Sequence, residues 1–265
     1  YYQGGYYAHG AQHLQEGLRE KVQRDSLRLK RGDRLPLKDR IRTQLLKKLI
    51  LVDLPYIDHG KILDVGCGAG KLLRVAKAVG FECHGAEPSK EAREILTNNG
   101  CQAYPSIDEV STPENYFDVI VFNQSLEHIP DPMGALKKAV SLLKEGGLLV
   151  ISVPNFACNE RHVFGMYWRH VDVPRHLYHF SPQTIDYVAQ NLELRQVNSR
   201  FKFWGGPGVA VQMARKEIGL KAYGLLTRYV IQQFFSLLTL NKACYGQMMT
   251  FVLKRPSGKI KLLES

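Results

Sequence analysis

Cysteine is scarce in this chain. The 265 residues include five cysteines, which are widely spaced and contain no C-x-x-C pair. Disulfide frameworks and structural zinc sites depend on paired cysteines, so both are disfavoured, and we predict buried free thiols in a reducing compartment. The five are Cys67, Cys83, Cys101, Cys158 and Cys244.

Long apolar runs are also lacking. No uninterrupted apolar stretch reaches the roughly 18 to 20 residues that span a bilayer, and the first residues lack the basic-then-apolar pattern of a secretory signal. We therefore expect a cytoplasmic protein, whose sequence begins at Tyr1 as a trimmed chain or a fragment would. With 45% hydrophobic and 23% charged residues, it suits one large domain with appendages and excludes collagen-like and disordered classes.

Acidic residues are few at both ends of the chain. Residues 1–55 hold 12 Lys and Arg against 6 Asp and Glu, residues 56–155 hold 9 against 13, and residues 156–265 hold 15 against 6. An anionic partner would therefore be attracted to the ends rather than to the middle. Solvated lysine-rich faces account for such an excess equally well.

The middle of the chain has the pattern of a parallel sheet. Short β-branched runs alternate with helical patterns whose apolar residues recur at i, i+3 or i+4. This alternation predicts helices on both faces of the sheet and a ligand beyond the carboxyl ends of the strands. The predicted strands are 61–65, 82–86, 117–122 and 147–153, and the predicted helices are 71–79, 89–98 and 133–143.

The flanks are predicted to be mainly helical. Gly219 and Gly224 are expected to interrupt an apolar helical stretch at 209–240, and a final strand follows it. The other predicted flanking elements are basic helices at 14–29 and 37–52, a capped helix at 181–191, and strands at 192–203 and 248–254. The chain is divided into an N-terminal basic helical segment (1–55), an α/β core (56–203), an apolar helical insertion or lid (204–247), and a final strand with a tail (248–265).

Three alternating glycines follow the first strand of the predicted sheet. Gly66, Gly68 and Gly70 permit positive φ and allow a ligand to approach the backbone. The dinucleotide fingerprint G-x-G-x-x-G/A fails because position 71 is lysine. Asp64, two residues before the turn, would repel a pyrophosphate but suits a ligand that carries a positive charge.

A carboxylate follows the second strand at Glu87, where it can accept hydrogen bonds from both hydroxyls of a ribose. Together with Leu63 to Gly70, Phe117 to Ile120 and Leu126 to Pro132, its order and spacing resemble the class I S-adenosylmethionine-dependent methyltransferases over about residues 60–155. The resemblance implies an α/β fold, a Rossmann-like, doubly wound seven-stranded sheet whose last strand is antiparallel. N-terminal helices and a helical insertion before the last strand complete the expected fold.

The resemblance also implies a cofactor, S-adenosyl-L-methionine, with S-adenosyl-L-homocysteine as its product. The glycine turn would hold the methionine moiety, and Glu87, after the second strand, would hold the ribose. The residues after the third strand would contact the adenine. The end of the fourth strand would lie beneath the reactive methyl group. The implied cofactor-binding residues are Asp64, Gly66, Cys67, Gly68, Gly70, Glu87, Pro88, Ser106, Ile107, Asn123, Gln124 and Ser125.

Methyl transfer from a sulfonium is an in-line displacement, which requires a nucleophile held about 3 to 3.5 Å from the methyl carbon in a dry pocket. A hydroxyl or a protonated amine additionally benefits from a base, for which histidine is the usual residue. His128, just past the fourth strand, is one candidate, although with Glu127 it could equally hold the loop in place.

A second candidate group lies at 167–181, a connector unusually rich in ionisable groups. Its Pro-Arg-His-Leu-x-x-Phe-Ser segment resembles a methyltransferase branch associated with small molecules, sugars and lipid-linked intermediates. We predict that Arg175 binds an anion and that His176 acts as a base or an orienting group. The predicted catalytic residues are His128, Arg175, His176 and Tyr178.

A zinc site at His170, His176 and His179 is the weaker alternative, because no cysteine pair accompanies them and Arg175 adds positive charge. We predict no metal.

The sequence leaves the acceptor open. Asn123 to Leu126 departs from the Asn/Asp-Pro-Pro-Tyr/Phe motif of family members that methylate exocyclic amines, which favours oxygen or carbon acceptors. The apolar insertion could cap the pocket, pair with another subunit, lie on a bilayer or pack in the core, and together with the basic flanks it favours an acceptor that is anionic, lipid-like or both. We predict a small-molecule, sugar or lipid-linked acceptor, with peripheral membrane contact open. The alternatives are an RNA methyltransferase and a cofactor-binding partner subunit without catalysis.

Overall fold

The computed structural model describes residues 17–46, 50, 52, 54–202, 207–238 and 246–257. Their strands are β1 (Lys61–Val65), β2 (Glu82–Ala86), β3 (Gln102–Tyr104), β4 (Phe117–Asn123), β5 (Leu143–Pro154), β6 (Arg195–Lys202) and β7 (Met248–Lys254). Their helices are α1 (Leu18–Arg31), α2 (Leu37–Leu46), α3 (Lys71–Lys77), α4 (Lys90–Asn98), α5 (Pro132–Leu142), α6 (Asn159–Phe164), α7 (Pro182–Asn191), α8 (Gly208–Ile218) and α9 (Ala222–Leu238).

The strands form one sheet in the order β3-β2-β1-β4-β5-β7-β6. Pairing is parallel from β3 to β5, and β7 runs antiparallel to both β5 and β6. The predicted doubly wound sheet with an antiparallel last strand is therefore confirmed. The chain order reverses between β1 and β4, and ligands of open α/β sheets bind at such a switch point.

Two apolar layers cover the faces of the sheet. Successive strand residues point to opposite faces, so Val119 and Val121 of β4 join the core cluster that includes α3 and α4. Ile120 and Phe122 join the cluster that includes α5 and α7. A strand that is apolar on both faces is typical of a parallel sheet covered by helices.

Side-chain caps determine where three of the helices begin. Ser89 accepts a hydrogen bond from the amide of Ala92 at the start of α4, and Asp131 accepts one from Gly134 at the start of α5. Ser181 caps α7 and Pro182 is its first residue, as predicted. Such caps satisfy amides that have no intrahelical partner.

Charged contacts link α1 to the sheet domain and α2 to α1. Arg74 of α3 donates to Glu20 of α1, and Arg42 of α2 donates to the buried Asp25 at 2.6 Å. The predicted helix at 14–29 corresponds to α1, with residues 14–16 outside the described part. The predicted helix at 37–52 corresponds to α2, which ends at Leu46 before the undescribed residues 47–49.

Two expectations about local structure were wrong. Gly224 does not interrupt the insertion, since α9 runs through it from Ala222 to Leu238. An isolated glycine costs a helix only about 1 kcal/mol, whereas Gly219, with φ at 60°, does end α8. The fifth strand begins at Leu143 rather than at residue 147, because an irregularity opposite β4 lets the strand pair earlier.

The described helices include none with both the length and the apolar character needed to cross a membrane.

Candidate functional site

The turn after β1 has the conformation that its glycines predict. Gly66, Gly68 and Gly70 have φ of 72°, 53° and 72°, a region that other residues rarely adopt. A Cβ on Gly66 would lie 2.4 Å from Cβ of Ser125, and a Cβ on Gly70 would lie 2.3 Å from Cδ2 of Leu96. The turn therefore excludes larger residues at both positions.

Glu87, directly after β2, faces this turn. Its carboxylate accepts hydrogen bonds from the amide of Gly68 at 2.9 Å and from the amide of Ser89 at 3.1 Å. The side chain is buried, so these bonds hold it at the position where the resemblance places the ribose. Pro88 is exposed beside it.

Asp64 is the unusual group of the site. It is 2% exposed, and its Oδ1 has no hydrogen-bond partner within the described part of the chain. Burial, together with the charge of Glu87, raises the pKa of Asp64 to about 7. A buried carboxylate without a counter-charge is costly, and a cationic ligand would remove that cost.

The end of β4 forms the floor next to the turn. Ser125 donates to the carbonyl of Val65 at 2.5 Å, and Gln124 has φ of 57° and binds the carbonyl of Ser152 through its backbone amide. Oδ1 of Asn123 is buried with no partner among the described residues. Of the three positions predicted to contact the cofactor here, Ser125 lies directly against Gly66.

The positions predicted to contact adenine lie after β3 and differ in exposure. Ser106 is partly exposed, and its hydroxyl donates to Glu109 at 3.3 Å. The Ile107 side chain packs in the core.

Cys67 is partly buried within the turn, with its sulfur 3.8 Å from the carbonyl of Ala86.

Two loops that are far apart in the sequence meet beyond the end of β4. Phe156 donates to the carbonyl of Phe180 at 2.8 Å, which ties the second loop to the end of β5, and Leu177 donates to the carbonyl of Glu127 at 2.8 Å. The imidazole rings of His128 and His176 thereby come to 4.7 Å between centroids. The structure thus brings together two of the four predicted catalytic residues.

Each of these rings is oriented by a carbonyl. Nδ1 of His128 is 2.9 Å from the carbonyl oxygen of Arg175, and Nδ1 of His176 is 2.8 Å from that of His170. A carbonyl only accepts, so Nδ1 of each ring carries a proton and Nε2 of each neutral ring keeps its lone pair. Burial is the main cause that lowers the pKa of His176, and the ring is therefore neutral near pH 7.

Glu127 lies beside these rings as a buried acid. It is 1% exposed, neither carboxyl oxygen has a partner in the described part of the chain, and burial raises its pKa to about 8. One ligand-type atom each of Glu127, His128 and His176 lie within 4.8 Å of one another. Such a set can exchange a proton, and it could also hold a metal ion.

The other two predicted catalytic residues are engaged elsewhere. Arg175 donates to Asp172 at 2.6 Å and 3.1 Å, so its charge is balanced within its own loop. The hydroxyl of Tyr178 donates to the carbonyl of Pro130 at 3.0 Å. The Tyr178 contact joins the two loops, and a direct role for either residue stays a prediction.

The zinc alternative at His170, His176 and His179 is not assembled by these contacts. His179 stacks on Phe156 with ring centroids 4.8 Å apart. His170 lies 6.5 Å from His176 between centroids, and burial lowers its pKa to about 3.

Glu160 on α6 is a buried acid that the sequence analysis did not single out. It is fully buried, its carboxyl oxygens have no partner among the described residues, and burial raises its pKa to about 7 against the opposing charge of Arg169. A signal was present, because Val163 and Phe164 follow at i+3 and i+4 and are buried. A glutamate on an apolar helix face is expected to be buried.

Comparison with protein families gives a match to the methyltransferase domain family over residues 11–198. Two curated relatives are each described as a ubiquinone biosynthesis O-methyltransferase. One, from Shewanella sp. (strain ANA-3), is 32% identical over 117 residues, covering 38% of this chain and 50% of the relative. The other, from Thiobacillus denitrificans, is 33% identical over 103 residues, covering 36% and 44%. The chain thus spans about half the length of the relatives it matches.

Solved structures share the fold. A SAM-dependent methyltransferase from Archaeoglobus fulgidus aligns with a TM-score of 0.50 and 21% identity over 74% of this chain and 86% of that one. The [4+2]-cyclase SpnF aligns with a TM-score of 0.52 and 16% identity over 90% and 94%. Likeness at this identity shows the fold alone, because one fold supports several chemistries.

Proposed function

We propose a function for this chain from one premise: it belongs to the methyltransferase domain family. The predicted family and its cofactor, S-adenosyl-L-methionine, are confirmed by that match. From there we propose that the chain methylates an oxygen atom, the hydroxyl of a small apolar phenol. The observation that carries this proposal is the pair of oriented imidazoles, His128 and His176, next to the end of β4.

The residues around the glycine turn suit the cofactor. The carboxylates of Asp64 and Glu87 provide the negative charge that an ammonium and a sulfonium need and the acceptors that a ribose needs. When bound, the cofactor supplies an electrophilic methyl group. Ser125, two residues after β4, adjoins the turn, which would place the acceptor oxygen on the side of His128 and His176.

His176 is the stronger candidate for the base. Its Nε2 can accept the hydroxyl proton, and Asp172 lies 3.8 Å from Nε2, close enough to stabilise the imidazolium that forms. A phenol ionises near pH 10, so an imidazole base can help to remove its proton. An aliphatic alcohol is a much weaker acid and is a poorer match for this base. The description of the two curated relatives as O-methyltransferases supports an oxygen acceptor.

We predict that His176→Gln keeps the affinity for the cofactor but lowers turnover by about 10²- to 10⁴-fold, the usual contribution of a general base. The assay measures S-adenosylhomocysteine release with phenols that differ in alkyl chain length. His162→Gln is the matched control, since His162 is exposed on α6. A His176→Gln enzyme with the wild-type rate would remove this residue from the mechanism.

The same assay separates the alternative functions. Aliphatic alcohols, sugars, amines and RNA are tested beside the phenols, and NMR of the product identifies the methylated atom. The basic flanks favour RNA as the second candidate, which would show binding that weakens steeply with salt. Cofactor binding without methylation of any acceptor would instead support a partner subunit without catalysis.

The insertion supports an apolar acceptor drawn from an anionic bilayer. On α9, Tyr223, Val230, Ile231 and Phe234 are each 45% to 59% exposed, and their spacing puts them along one side of the helix. Residues 208–238 contain four basic side chains and a single acid, Glu217, which accepts a hydrogen bond from Tyr167. Apolar side chains flanked by positive charge match the surface of an anionic membrane.

We predict that the chain sediments with vesicles containing anionic phospholipid and not with neutral vesicles. Ile231→Asp combined with Phe234→Asp should abolish binding, whereas Val197→Asp, on an exposed apolar residue of β6, should leave it intact. Equal sedimentation of the two variants would contradict a membrane role for α9.

A further inference from the structure

Two cysteines stand opposite each other at the outer side of the sheet. The parallel register pairs His84 of β2 with Gln102 of β3, so Cys83 of β2 and Cys101, which directly precedes β3, are neighbours across the two chain segments. Directly paired residues project to the same face of a sheet, and both cysteines belong to one apolar cluster. They are 5% and 6% exposed, so their sulfurs share a confined space.

A cavity of about 240 Å³ connects this pair to solvent. It lies between α3 and α4, and its walls include Gly70, Lys77, Leu96 and Cys101. Cys101 lines the cavity, whereas Cys83 lies behind it. A small reagent could therefore reach Cys101 first.

The surroundings make Cys101 the more reactive thiol. The neighbouring Cys83 and, more weakly, the ammonium of Lys77 lower the pKa of Cys101, although burial acts against them. Lys77 is held beside it by hydrogen bonds of 2.6 Å and 2.7 Å to the carbonyls of Asn99 and Gly100. In contrast, burial raises the pKa of Cys158 to about 12. The thiolate is the reactive form of cysteine.

We propose that Cys83 and Cys101 are an oxidation site that hydrogen peroxide, entering through the cavity, converts to a disulfide. The Cys101 thiolate attacks one peroxide oxygen, the O–O bond breaks, and the departing hydroxide takes a proton to become water, leaving a sulfenic acid. The Cys83 sulfur then attacks the Cys101 sulfur, and the thiol proton leaves with the hydroxyl as a second water. The two thiols lose two electrons and two protons in total, and one peroxide is reduced to two waters.

This site is coupled to the cofactor turn through Leu96. The amide of Cys101 donates to the carbonyl of Leu96 at 3.0 Å, so a displacement at Cys101 reaches the end of α4. The Leu96 side chain packs on Gly70, where a Cβ would be only 2.3 Å away. Drawing Cys101 toward Cys83 would shift Leu96 against the turn, and we expect cofactor affinity to fall about fivefold or more.

The test treats the whole chain with hydrogen peroxide and maps its thiols by mass spectrometry. We expect a peptide pair that joins Cys83 to Cys101 and lacks two hydrogen atoms, and weaker binding of S-adenosylmethionine that a dithiol reductant restores. A cross-link or sulfenic acid that maps to Cys67, Cys158 or Cys244, or a native chain that does not react, overturns the site. A disulfide at the expected pair with unchanged cofactor affinity overturns the coupling.

Two variants separate the roles of the thiols. Cys83→Ser should stop at a Cys101 sulfenic acid that dimedone traps, and Cys101→Ser should prevent both modifications, while Cys158→Ala should react like the wild type. A Cys101→Ser chain whose Cys83 reacts at the wild-type rate would reverse the assignment. If a variant fails to fold, the thiol map of the oxidised wild-type chain still tests the proposed site.

Discussion

At the scale of single residues, the site contains two buried acids beside the glycine turn. Glu87 accepts hydrogen bonds from the amides of Gly68 and Ser89, whereas Oδ1 of Asp64 has no partner among the residues that the structure describes. Burial and, after it, the negative charge of Glu87 raise the pKa of Asp64. A cation that binds beside Asp64 would favour its ionised form, so binding and ionisation are linked.

We predict that the affinity for S-adenosylmethionine rises from about pH 6 to about pH 8, because Asp64 titrates near pH 7 and only the ionised form attracts the cation. Asp64→Asn should lower the affinity at pH 8 by about 1 to 3 kcal/mol and remove the pH dependence. Isothermal titration calorimetry at several pH values measures both. An affinity for the Asn variant that still rises with pH would assign the effect to another group.

At the scale of elements, the turn depends on its neighbours as much as on its own conformation. Gly70 needs a positive φ and also has Leu96 against it. Gly32, which ends α1, has φ of 97° but open space around it. Comparing the same substitution at the two glycines therefore distinguishes the effect of a strained φ from the effect of a steric clash.

We predict that Gly70→Ala lowers the free energy of unfolding more than Gly32→Ala does. In both variants a left-handed alanine lowers the free energy of unfolding by about 1 to 2 kcal/mol. In Gly70→Ala, overpacking against Leu96 lowers it by about 1 to 3 kcal/mol more. Urea unfolding measures both values. Equal losses would mean that Leu96 moves away freely.

The sequence predicts the elements whose signals are local. The glycine turn, Glu87 and the Ser181 cap each depend on a few neighbouring residues, and they lie where expected. The contact between His128 and His176 depends on a meeting of two loops 48 residues apart, which periodicity does not encode. The helix break expected at Gly224 is absent because the packing of α9 outweighs the low helix propensity of a single glycine.

At the scale of the whole molecule, three buried acids act together on stability. Burial is the main cause that raises the pKa of Asp64 and Glu160 to about 7 and of Glu127 to about 8. Between about pH 4 and pH 8 the folded chain therefore binds more protons at these groups than the unfolded chain does. Their contribution to stability is present at mildly acidic pH and decreases as the pH rises.

We predict that the free energy of unfolding of the cofactor-free chain falls from about pH 7 to about pH 8, a range above that in which His170 and His176, whose pKa values burial lowers, change stability in the opposite direction. Glu160→Gln, which removes one of the three titrations, should raise stability at pH 8 by about 1 to 3 kcal/mol and flatten the curve. Glu114→Gln, on an exposed residue, is the control. A Glu160→Gln curve parallel to that of the wild type would contradict the buried titration.

The position of β7 in the sheet has a consequence for biosynthesis. β7 fills the gap between β5 and β6, although it follows both in the chain. A ribosome that has released residues only as far as α9 exposes a nascent sheet in which β5 has an open edge and β6 has no strand to pair with. Vectorial folding therefore stops at five strands until the last segment emerges, and chaperone binding is expected at that stage.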